Sequence, residues 1–209
     1  MKIVVLGASR GVGLQVVKQA LEAGYTVTAF VRSPERFEVE HENLIVFKGD
    51  AMDAAAVENA IAGQQAVIST LGPARPPVPR MMETCAKNIV AGMKKQGVRR
   101  LVSTTGAGVR QPEDQPKFID RFIGYLLNLM AKDVVMDSAE NAKVIQASDL
   151  DWTIVRFPRL TDGEGTGIYR AGFVGKDSGI QISRADGADF ILKETAQKKW
   201  LRRSPIVSY

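Results

Sequence analysis

The sequence predicts an α/β fold in which a doubly wound, parallel β-sheet carries helices on both faces. Three observations predict it. Short β-branched runs alternate with stretches of helical periodicity, the pattern of βαβ units. A glycine-rich turn at residues 7–13 joins the first apolar run to an amphipathic stretch. The chain has 209 residues, 45% hydrophobic and 24% charged. We therefore expect one domain over residues 1–209 that buries its core without disulfides or a structural metal.

The N-terminal half provides four strands and two longer helices. Gly24 is placed to end the first helix, since glycine readily adopts the left-handed conformation that terminates helices. Ser33 and Pro34 predict the cap and first position of a short helical turn. Asp53 predicts the cap of the next helix. We expect strands at residues 2–7, 25–31, 44–50 and 66–72, and helices at 11–23 and 54–63.

The C-terminal half begins with the proline-rich segment 73–79, which is expected to be a loop because proline extends neither a helix nor a central strand. Gly97 then marks the end of a further helix. We find no repeat, linker or low-complexity segment. The remaining elements are expected as helix 80–96, strand 99–106, helices 118–131 and 133–148, strands 152–158 and 180–183, helix 185–198, and a short last strand within 204–209.

Six parallel strands with intervening helices imply the strand order 3-2-1-4-5-6, with a seventh strand at the edge left open. This is a Rossmann-type sheet. In such sheets the ligand crevice lies beyond the carboxyl ends of strands 1 and 4, where the direction of winding reverses.

The glycine loop carries the strongest functional signal. Gly7 allows a tight exit from the first strand, Gly11 lets the backbone approach a pyrophosphate, and Gly13 permits close packing of helix on strand. The helix that follows presents free N–H groups and a partial positive charge to an anion. The alternative is a purely structural turn. The cofactor-binding residues predicted here are Gly7, Ser9, Arg10, Gly11, Val12 and Gly13.

Charge at the end of the second strand selects the cofactor. An NAD site places an acid there for the ribose 2′-hydroxyl, whereas this strand ends in Arg32 and Ser33. Arg32 is suited to grip a 2′-phosphate with Ser33 as a donor, and Arg10 to stack on the adenine or add charge. The sequence therefore predicts NADP(H). The alternative is a pair of solvated surface arginines.

Two further loops follow strands at the same edge. Asp50 and Ala51 follow the third strand, where an adenine-contacting acid would lie; the alternative for Asp50 is a helix cap shared with Asp53. The segment 70–74 follows the fourth strand and is expected to run beneath the riboses, or to be a plain loop. Its predicted binding residues are Leu71, Gly72 and Pro73.

The chain resembles the atypical short-chain dehydrogenase/reductase superfamily. The similarity is to its NAD(P)H-binding branch, which holds flavin and biliverdin reductases and regulators of nitrogen metabolite repression. It extends over nearly the full length, through "GASRGVG", "FVRSPERF", "GDAMD", "LVSTTGAG" and above all "SDLDWTIVRFPRLTDGEGTG" at 148–167. The resemblance implies that the loop after strand 6 neighbours the nicotinamide, and that "ISRAD" (182–186) docks a helix. The nicotinamide neighbours are then Phe157, Pro158, Arg159 and Leu160.

The sequence departs from the superfamily in its catalytic pair. The main branch uses Tyr-x-x-x-Lys, in which the lysine lowers the tyrosine pKa for proton donation. Tyr25, Tyr125 and Tyr169 are followed at the fourth position by alanine, leucine and phenylalanine, and Tyr209 ends the chain. Carbonyl reduction by that route is therefore not expected.

Hydroxyls on strand 5 remain as candidates. Ser103, Thr104 and Thr105 occupy the place of the superfamily's catalytic serine. We take Thr105 as the catalytic candidate and Thr104 as a cofactor contact. The alternative is a strand-end hydroxyl bonded to backbone.

The amino-acid composition limits the kinds of ligand and partner that the chain is expected to bind. The net charge of +5 is spread along the chain, without the long basic tract of a nucleic-acid protein. One histidine, His41, and one cysteine, Cys85, disfavour a metal site, and the first apolar run is too short for a leader or membrane span. We expect a cytoplasmic monomer or homodimer that binds a small-molecule acceptor, without membrane, nucleic acid or metal.

Other features are expected to be structural. Cys85 is expected in helix packing and His41 on the surface. Lys132 and Lys143 are expected to be solvated, with an approach to substrate as the alternative. The apolar stretch 122–131 is expected in the core, with a dimer face or substrate lid as alternatives.

Two functions remain open. The first is an NADPH-dependent reductase of a flavin, quinone or similar aromatic acceptor, because hydride transfer to an electron-poor ring needs no dedicated tyrosine. The second is a non-catalytic NADP(H)-binding redox sensor, regulator or assembly factor.

Overall fold

The computed structural model describes residues 1–74, 76–176 and 178–209, without the side chains of residues 119–132. The strands are β1 (Lys2–Leu6), β2 (Thr26–Val31), β3 (Leu44–Lys48), β4 (Ala66–Ser69), β5 (Arg100–Gly106), β6 (Asp151–Phe157), β7 (Arg159–Thr161), β8 (Arg170–Gly172), β9 (Gln181–Ser183) and β10 (Ile206–Ser208). The helices are α1 (Gly11–Glu22), α2 (Ala54–Ile61), α3 (Met81–Lys95), α4 (Phe118–Gln146) and α5 (Arg184–Gln197), with a 3-10 turn at Pro34–Arg36.

The main sheet has eight strands in the order β3-β2-β1-β4-β5-β6-β10-β8. Strands β1 to β6 all pair in parallel, and β1 lies between β2 and β4. This confirms the predicted Rossmann-type order 3-2-1-4-5-6. The winding direction reverses between β1 and β4, so the carboxyl ends of these strands border an open crevice.

The C-terminal strands differ from the prediction. The seventh strand, β10, pairs with β6 but is not the edge, because β8 pairs antiparallel on its far side. The strand expected at 180–183 is present as β9, but it pairs with β7 in a separate two-stranded sheet. The strands that were not predicted, β7 and β8, have three residues each, too few to show an alternating pattern in the sequence.

The two helices predicted at 118–131 and 133–148 are one continuous helix, α4. The prediction of a break was wrong. Ala131, Lys132 and Asp133 contain neither the glycine nor the proline that ends a helix, and alanine and lysine are strong helix formers. The side chains of 122–131 and of Lys132, for which a core, dimer, lid or substrate role was considered, lie outside the described residues.

The core lies on both faces of the sheet. On one face, residues of α1 and α5 such as Val16, Val17 and Ile191 pack on the strands. On the other, α2, α3 and α4 contribute Ile61, Cys85, Met93 and Ile145, among others. Cys85 is 1% exposed, which confirms its packing role.

Helix α5 is held in place by a buried ion pair. The Arg100 guanidinium lies 3.0 Å from the Glu194 carboxylate, and both side chains are nearly inaccessible to solvent. Arg100 also donates to the carbonyl of Glu194 and the hydroxyl of Thr153. At the other end of α5, the Gln19 side chain of α1 donates to the carbonyl of Ala185. These contacts fix one end of α5 on the sheet and tie its N-terminus to the C-terminal half of α1.

Candidate cofactor and acceptor cleft

A cleft of about 570 Å³ opens at the carboxyl ends of β1, β4, β5 and β6. This volume is typical of sites for small molecules and cofactors. One end lies at the glycine loop and the other at the end of β5. Its lining residues are Arg10, Gly11, Val12, Thr70, Leu71, Gly72, Pro73, Met82, Thr104, Thr105, Gly106, Ser138, Phe157, Pro158, Leu160, Asp162 and Arg184.

The glycine loop packs against the end of β4. Gly7 has φ +83°, and a Cβ there would lie 2.9 Å from the Thr70 backbone. A Cβ on Gly13 would overlap the carbonyl oxygen of Gly7 and the Thr70 hydroxyl. That hydroxyl donates to the carbonyl oxygens of Leu6 and Gly7, at 3.1 and 3.2 Å. Only glycine therefore fits at positions 7 and 13. The hydrogen bonds of Thr70 hold the start of the glycine loop against the end of β4.

The N-terminus of α1 is open to an anion. Its capping residue, Arg10, is extended and makes no side-chain capping bond, and the first turn holds no acid. Within the described part of the chain, the first backbone N–H groups are thus left to a ligand or solvent. With Arg10, Gly11 and Val12 lining the cleft, this end is chemically suited to a pyrophosphate.

The predicted residues fall into three groups. Those that line the cleft are Arg10, Gly11, Val12, Leu71, Gly72, Pro73, Thr104, Thr105, Phe157, Pro158 and Leu160. Gly7 and Gly13 do not line the cleft, but their close packing sets the course of the loop that does. The others, Ser9, Arg32, Ser33, Asp50, Ala51 and Arg159, are not among the lining residues.

Arg32 and Asp50 follow neighbouring strands. Val31 pairs with Lys48, and the N–H of Gly49 donates to the carbonyl of Val31, so both loops leave the sheet at the same edge. Both side chains are exposed. This places a cation beyond β2, on the side of β1 that faces away from β4, where the adenosine end of a dinucleotide is expected.

The predicted helix-capping roles of Asp53, Asp50 and Ser33 have different outcomes. Asp53 caps α2 as predicted, accepting from the N–H groups of Ala55 and Ala56. Asp50 does not share that cap, and instead accepts from the N–H of Met52 at 2.9 Å. Ser33 occupies the predicted cap position of the 3-10 turn, but its side chain makes no capping bond. That part of the prediction was wrong, and it leaves the Ser33 hydroxyl available to a ligand.

The far end of the cleft offers hydroxyl groups. Thr105 pairs with Arg156 at the end of β5 and is half-buried. Among the described residues, the Thr105 hydroxyl has no hydrogen-bond partner, so it is not tied to backbone and remains available in the cleft lining. Ser138 from α4 and Met82 from α3 line the same end. Sequence reasoning missed both, because nothing in a helical pattern shows which turn faces the sheet edge.

A buried ion pair anchors the loop that follows β5. Arg156 on β6 is fully buried and donates to both carboxylate oxygens of Asp114, at 2.7 and 2.8 Å. Its guanidinium also donates to the carbonyl oxygens of Val109 and Ser204. Burial by itself would raise the pKa of Asp114, but the hydrogen bonds from Arg156 and from backbone N–H groups hold it below its ordinary value. The loop is thereby tied to β6.

A second acid organises the loop after β7. Asp186 accepts from the backbone N–H groups of Thr166 and Gly167 and from the Tyr209 hydroxyl. Burial acts to raise the pKa of Asp186, but these bonds lower it below its ordinary value. Ser183 caps α5 by accepting from the N–H of Asp186. Both belong to the "ISRAD" segment, whose expected docking role this geometry explains.

A tyrosine and a lysine do approach each other, but not in the cleft. Lys193 lies 3.5 Å from the Tyr169 hydroxyl. Tyr169 donates to Asp189, and its pKa is raised by burial and by this carboxylate, which is the opposite of what proton donation needs. Neither residue lines the cleft.

The remaining candidates are accounted for individually. Lys143 is exposed, pairs with Glu140 and does not line the cleft, and His41 is exposed. Within residues 1–74, 76–176 and 178–209, no three histidine, cysteine or acidic side chains cluster closely enough to hold a metal. Among the described helices, none combines the length and apolarity needed to cross a bilayer.

The comparison with protein families decides the identity of the fold. The model of the NAD(P)H-binding family matches residues 7–198, nearly the whole chain. The chain belongs to the NAD(P)H-binding family. This assignment confirms the resemblance to atypical short-chain dehydrogenase/reductases.

Similar proteins include reductases. The (4-alkanoyl-5-oxo-2,5-dihydrofuran-3-yl)methyl phosphate reductase of Streptomyces griseus is 31% identical over 176 residues, 82% of this chain and 54% of the relative. This chain therefore spans about half the length of that relative.

Two solved structures share the fold. A short-chain dehydrogenase/reductase of Veillonella parvula in complex with NADP is 17% identical with a TM-score of 0.84, covering 100% of this chain and 94% of the other. ChuY, an anaerobillin reductase from Escherichia coli O157:H7, is 23% identical with a TM-score of 0.82, covering 99% and 96%.

Proposed function

We propose that this NAD(P)H-binding protein is an NADPH-dependent reductase of a small aromatic or quinonoid acceptor, such as a flavin. One observation carries the proposal. The cleft runs from an anion-binding helix end to a cluster of hydroxyls, and its ionisable lining side chains, among the described residues, are Arg10, Asp162 and Arg184. Such a cleft can position a dinucleotide beside an acceptor but offers no tyrosine, lysine or histidine for proton donation.

The chain's own groups fit the cofactor along its length. The glycine loop is assigned to the pyrophosphate; Gly7 and Gly13 allow its close packing, since a Cβ at either position would collide with neighbouring protein atoms. Arg32, exposed beyond β2 with the Ser33 hydroxyl beside it, is suited to the 2′-phosphate. Asp50 and Ala51 are assigned to the adenine, and Ser9 to the phosphates. Leu71, Gly72 and Pro73 are assigned to the riboses.

The acceptor is assigned to the end of the cleft that holds Thr105 and Ser138. When bound, a reduced nicotinamide supplies the hydride, and the acceptor takes its accompanying proton from solvent. Phe157, Pro158, Arg159 and Leu160 are assigned to the nicotinamide's surroundings. The Thr105 hydroxyl, free of other partners, donates to the acceptor, and Thr104 contacts the cofactor.

The similar proteins support this class of reaction. The Streptomyces relative is named a reductase, the Escherichia coli neighbour is named an anaerobillin reductase, and the Veillonella neighbour was solved with NADP. For this chain the acceptor class and the preference for NADP(H) are our proposals.

Acceptor-dependent oxidation of NADPH tests the proposal. The purified protein is mixed with NADPH and, separately, with FMN, menadione or dichlorophenolindophenol, while the absorbance of reduced nicotinamide is followed. We expect at least one acceptor to be reduced well above the rate without protein. A protein that binds NADPH but reduces none of these acceptors above background would contradict it.

A non-catalytic sensor, regulator or assembly factor is the second candidate. The same scarcity of acid–base groups in the cleft favours it, since a protein that reads the cofactor without turnover needs none. Tight NADPH binding without reduction of any acceptor, together with co-purification of a defined protein partner, would support the sensor over the reductase.

A further inference from the structure

Arg184, the first residue of α5, reaches over the glycine loop. A Cβ built on Gly11 would lie 3.7 Å from Arg184 Nε and 3.9 Å from its Cδ. The Arg184 side chain lines the cleft together with Arg10, at the N-terminus of α1. The end of the cleft that is suited to a pyrophosphate therefore holds a second guanidinium, contributed by an element far away in the sequence.

The position of Arg184 is fixed by its neighbours. Ser183 caps α5 and pairs in register with Thr161 of β7. The carbonyl of Ala185 accepts from the Gln19 side chain of α1 at 3.0 Å. The backbone of Arg184 is thus tied both to the two-stranded sheet and to the helix that follows the glycine loop.

The partner of Arg184 is an acid that faces solvent. Asp162 directly follows β7, and its carboxylate accepts from Arg184 Nη1. The Asp162 side chain is 90% exposed, against 30% for Arg184. An ion pair with one partner this exposed is weak, because the Asp162 carboxylate remains well solvated and salt screens it.

We propose that Arg184 binds the pyrophosphate of the dinucleotide, and that Asp162 is an internal counter-ion which the pyrophosphate displaces. The inference rests on the proposed cofactor site. It adds Arg184 as a binding residue and Asp162 as a carboxylate that competes with the pyrophosphate for Arg184. Arginine–phosphate bonds are charge-assisted and stronger than an exposed arginine–carboxylate pair, so the exchange favours the bound state. Asp162 also opposes the ligand directly, since a carboxylate beside a pyrophosphate repels it.

The inference predicts opposite effects for the two members of one ion pair. Arg184→Ala should weaken NADPH and NADH alike, by about ten- to a hundredfold, because both carry the pyrophosphate. Asp162→Asn should tighten both by about two- to fivefold, because it removes a competitor and a repulsive charge. In an Arg184→Ala background, the gain from Asp162→Asn should fall below about twofold, since the groups act as a pair.

Calorimetric titration with NADPH and NADH, without any acceptor, measures these effects. Lys18→Ala is the matched control, because Lys18 is an exposed cation on α1 that does not line the cleft. It removes the same charge and should leave both affinities unchanged. Arg184→Lys keeps the charge without the two-pronged geometry and should recover part of the loss. Thermal unfolding of each variant checks that it is folded.

The outcomes separate this inference from the proposed function. If the wild-type protein binds neither cofactor, the proposed function falls. If it binds them and Arg184→Ala binds equally well, only this inference is overturned. A loss confined to NADPH would overturn it too, because it would place Arg184 at the 2′-phosphate. Weaker binding in Asp162→Asn would show that Asp162 supports the site rather than competing for it, and would overturn its assigned role.

Discussion

Replacing Asp114 with asparagine should destabilise the protein strongly. Arg156 is 0% exposed and Asp114 is 2% exposed, and two hydrogen bonds of 2.7 and 2.8 Å join them. Asparagine keeps the shape but removes the charge, so the guanidinium stays buried without a counter-ion. Breaking one side of such a pair costs about 3–5 kcal/mol. For a chain of this size, that lowers Tm by roughly 6–20 °C.

Urea unfolding, with thermal unfolding alongside, measures this cost. Glu140→Gln is the control, because it breaks an ion pair in which Glu140 and Lys143 are 47% and 68% exposed. Its free energy of unfolding should stay within about 0.5 kcal/mol of wild type. If Asp114→Asn also stays within about 1 kcal/mol, Arg156 does not depend on Asp114, and the argument that this pair anchors the loop after β5 is wrong.

The same pair sets a pH dependence with a definite sign. Burial acts to raise the pKa of Asp114. The hydrogen bonds from Arg156 and from backbone N–H groups lower it by more, so the pKa of Asp114 in the folded protein lies below its value in the unfolded chain. Its stabilisation is then fully present above about pH 4 and lost as the pH falls through the folded pKa. Between neutral and acid pH, Asp114→Asn should lose less stability than wild type. An identical loss would contradict the assignment.

Three further predictions concern the loop, the acceptor end and the buried thiol. Gly13→Ala should abolish measurable NADPH binding in calorimetry while the protein remains folded by circular dichroism, because the new methyl overlaps the carbonyl of Gly7; normal affinity would refute the close packing. Thr105→Val should lower acceptor turnover by roughly two- to tenfold with unchanged cofactor affinity, the loss of one hydrogen bond; equal turnover would remove Thr105 from the site. Burial raises the pKa of Cys85 to about 11, so alkylation should be slow in the native protein and rapid after unfolding; rapid native labelling would contradict its burial.

The parts of the fold that sequence predicts best are those with local causes. The buried strands, the order of the first six and the end of α1 near Gly24 follow from periodicity and from one residue's backbone preference. The continuous α4 was mispredicted as two helices because its pattern was divided where no helix-ending residue stands. The three-residue strands β7 and β8 owe their existence to partners distant in the sequence, and no local pattern encodes them, whereas β9 and β10 were predicted as strands without their pairing.

The candidate site divides in the same way. The glycine loop and the residues directly after β4 and β5 were predicted, because parallel strands bring their carboxyl ends to one edge. Thr70 could have been added by that rule, since it directly follows β4. Ser138 and Arg184 could not, because one depends on the rotation of a long helix and the other on the docking of α5.

The central claim is that the glycine loop binds NADP(H) and that Arg32 recognises the 2′-phosphate. Calorimetric titration of wild type and Arg32→Ala with NADPH and NADH tests it most directly. We predict that wild type binds NADPH more tightly, by about ten- to a hundredfold, the worth of a charge-assisted arginine contact. Arg32→Ala should lose that preference with NADH affinity nearly unchanged. Equal affinity of wild type for the two cofactors, or an equal loss for both in Arg32→Ala, would contradict the claim.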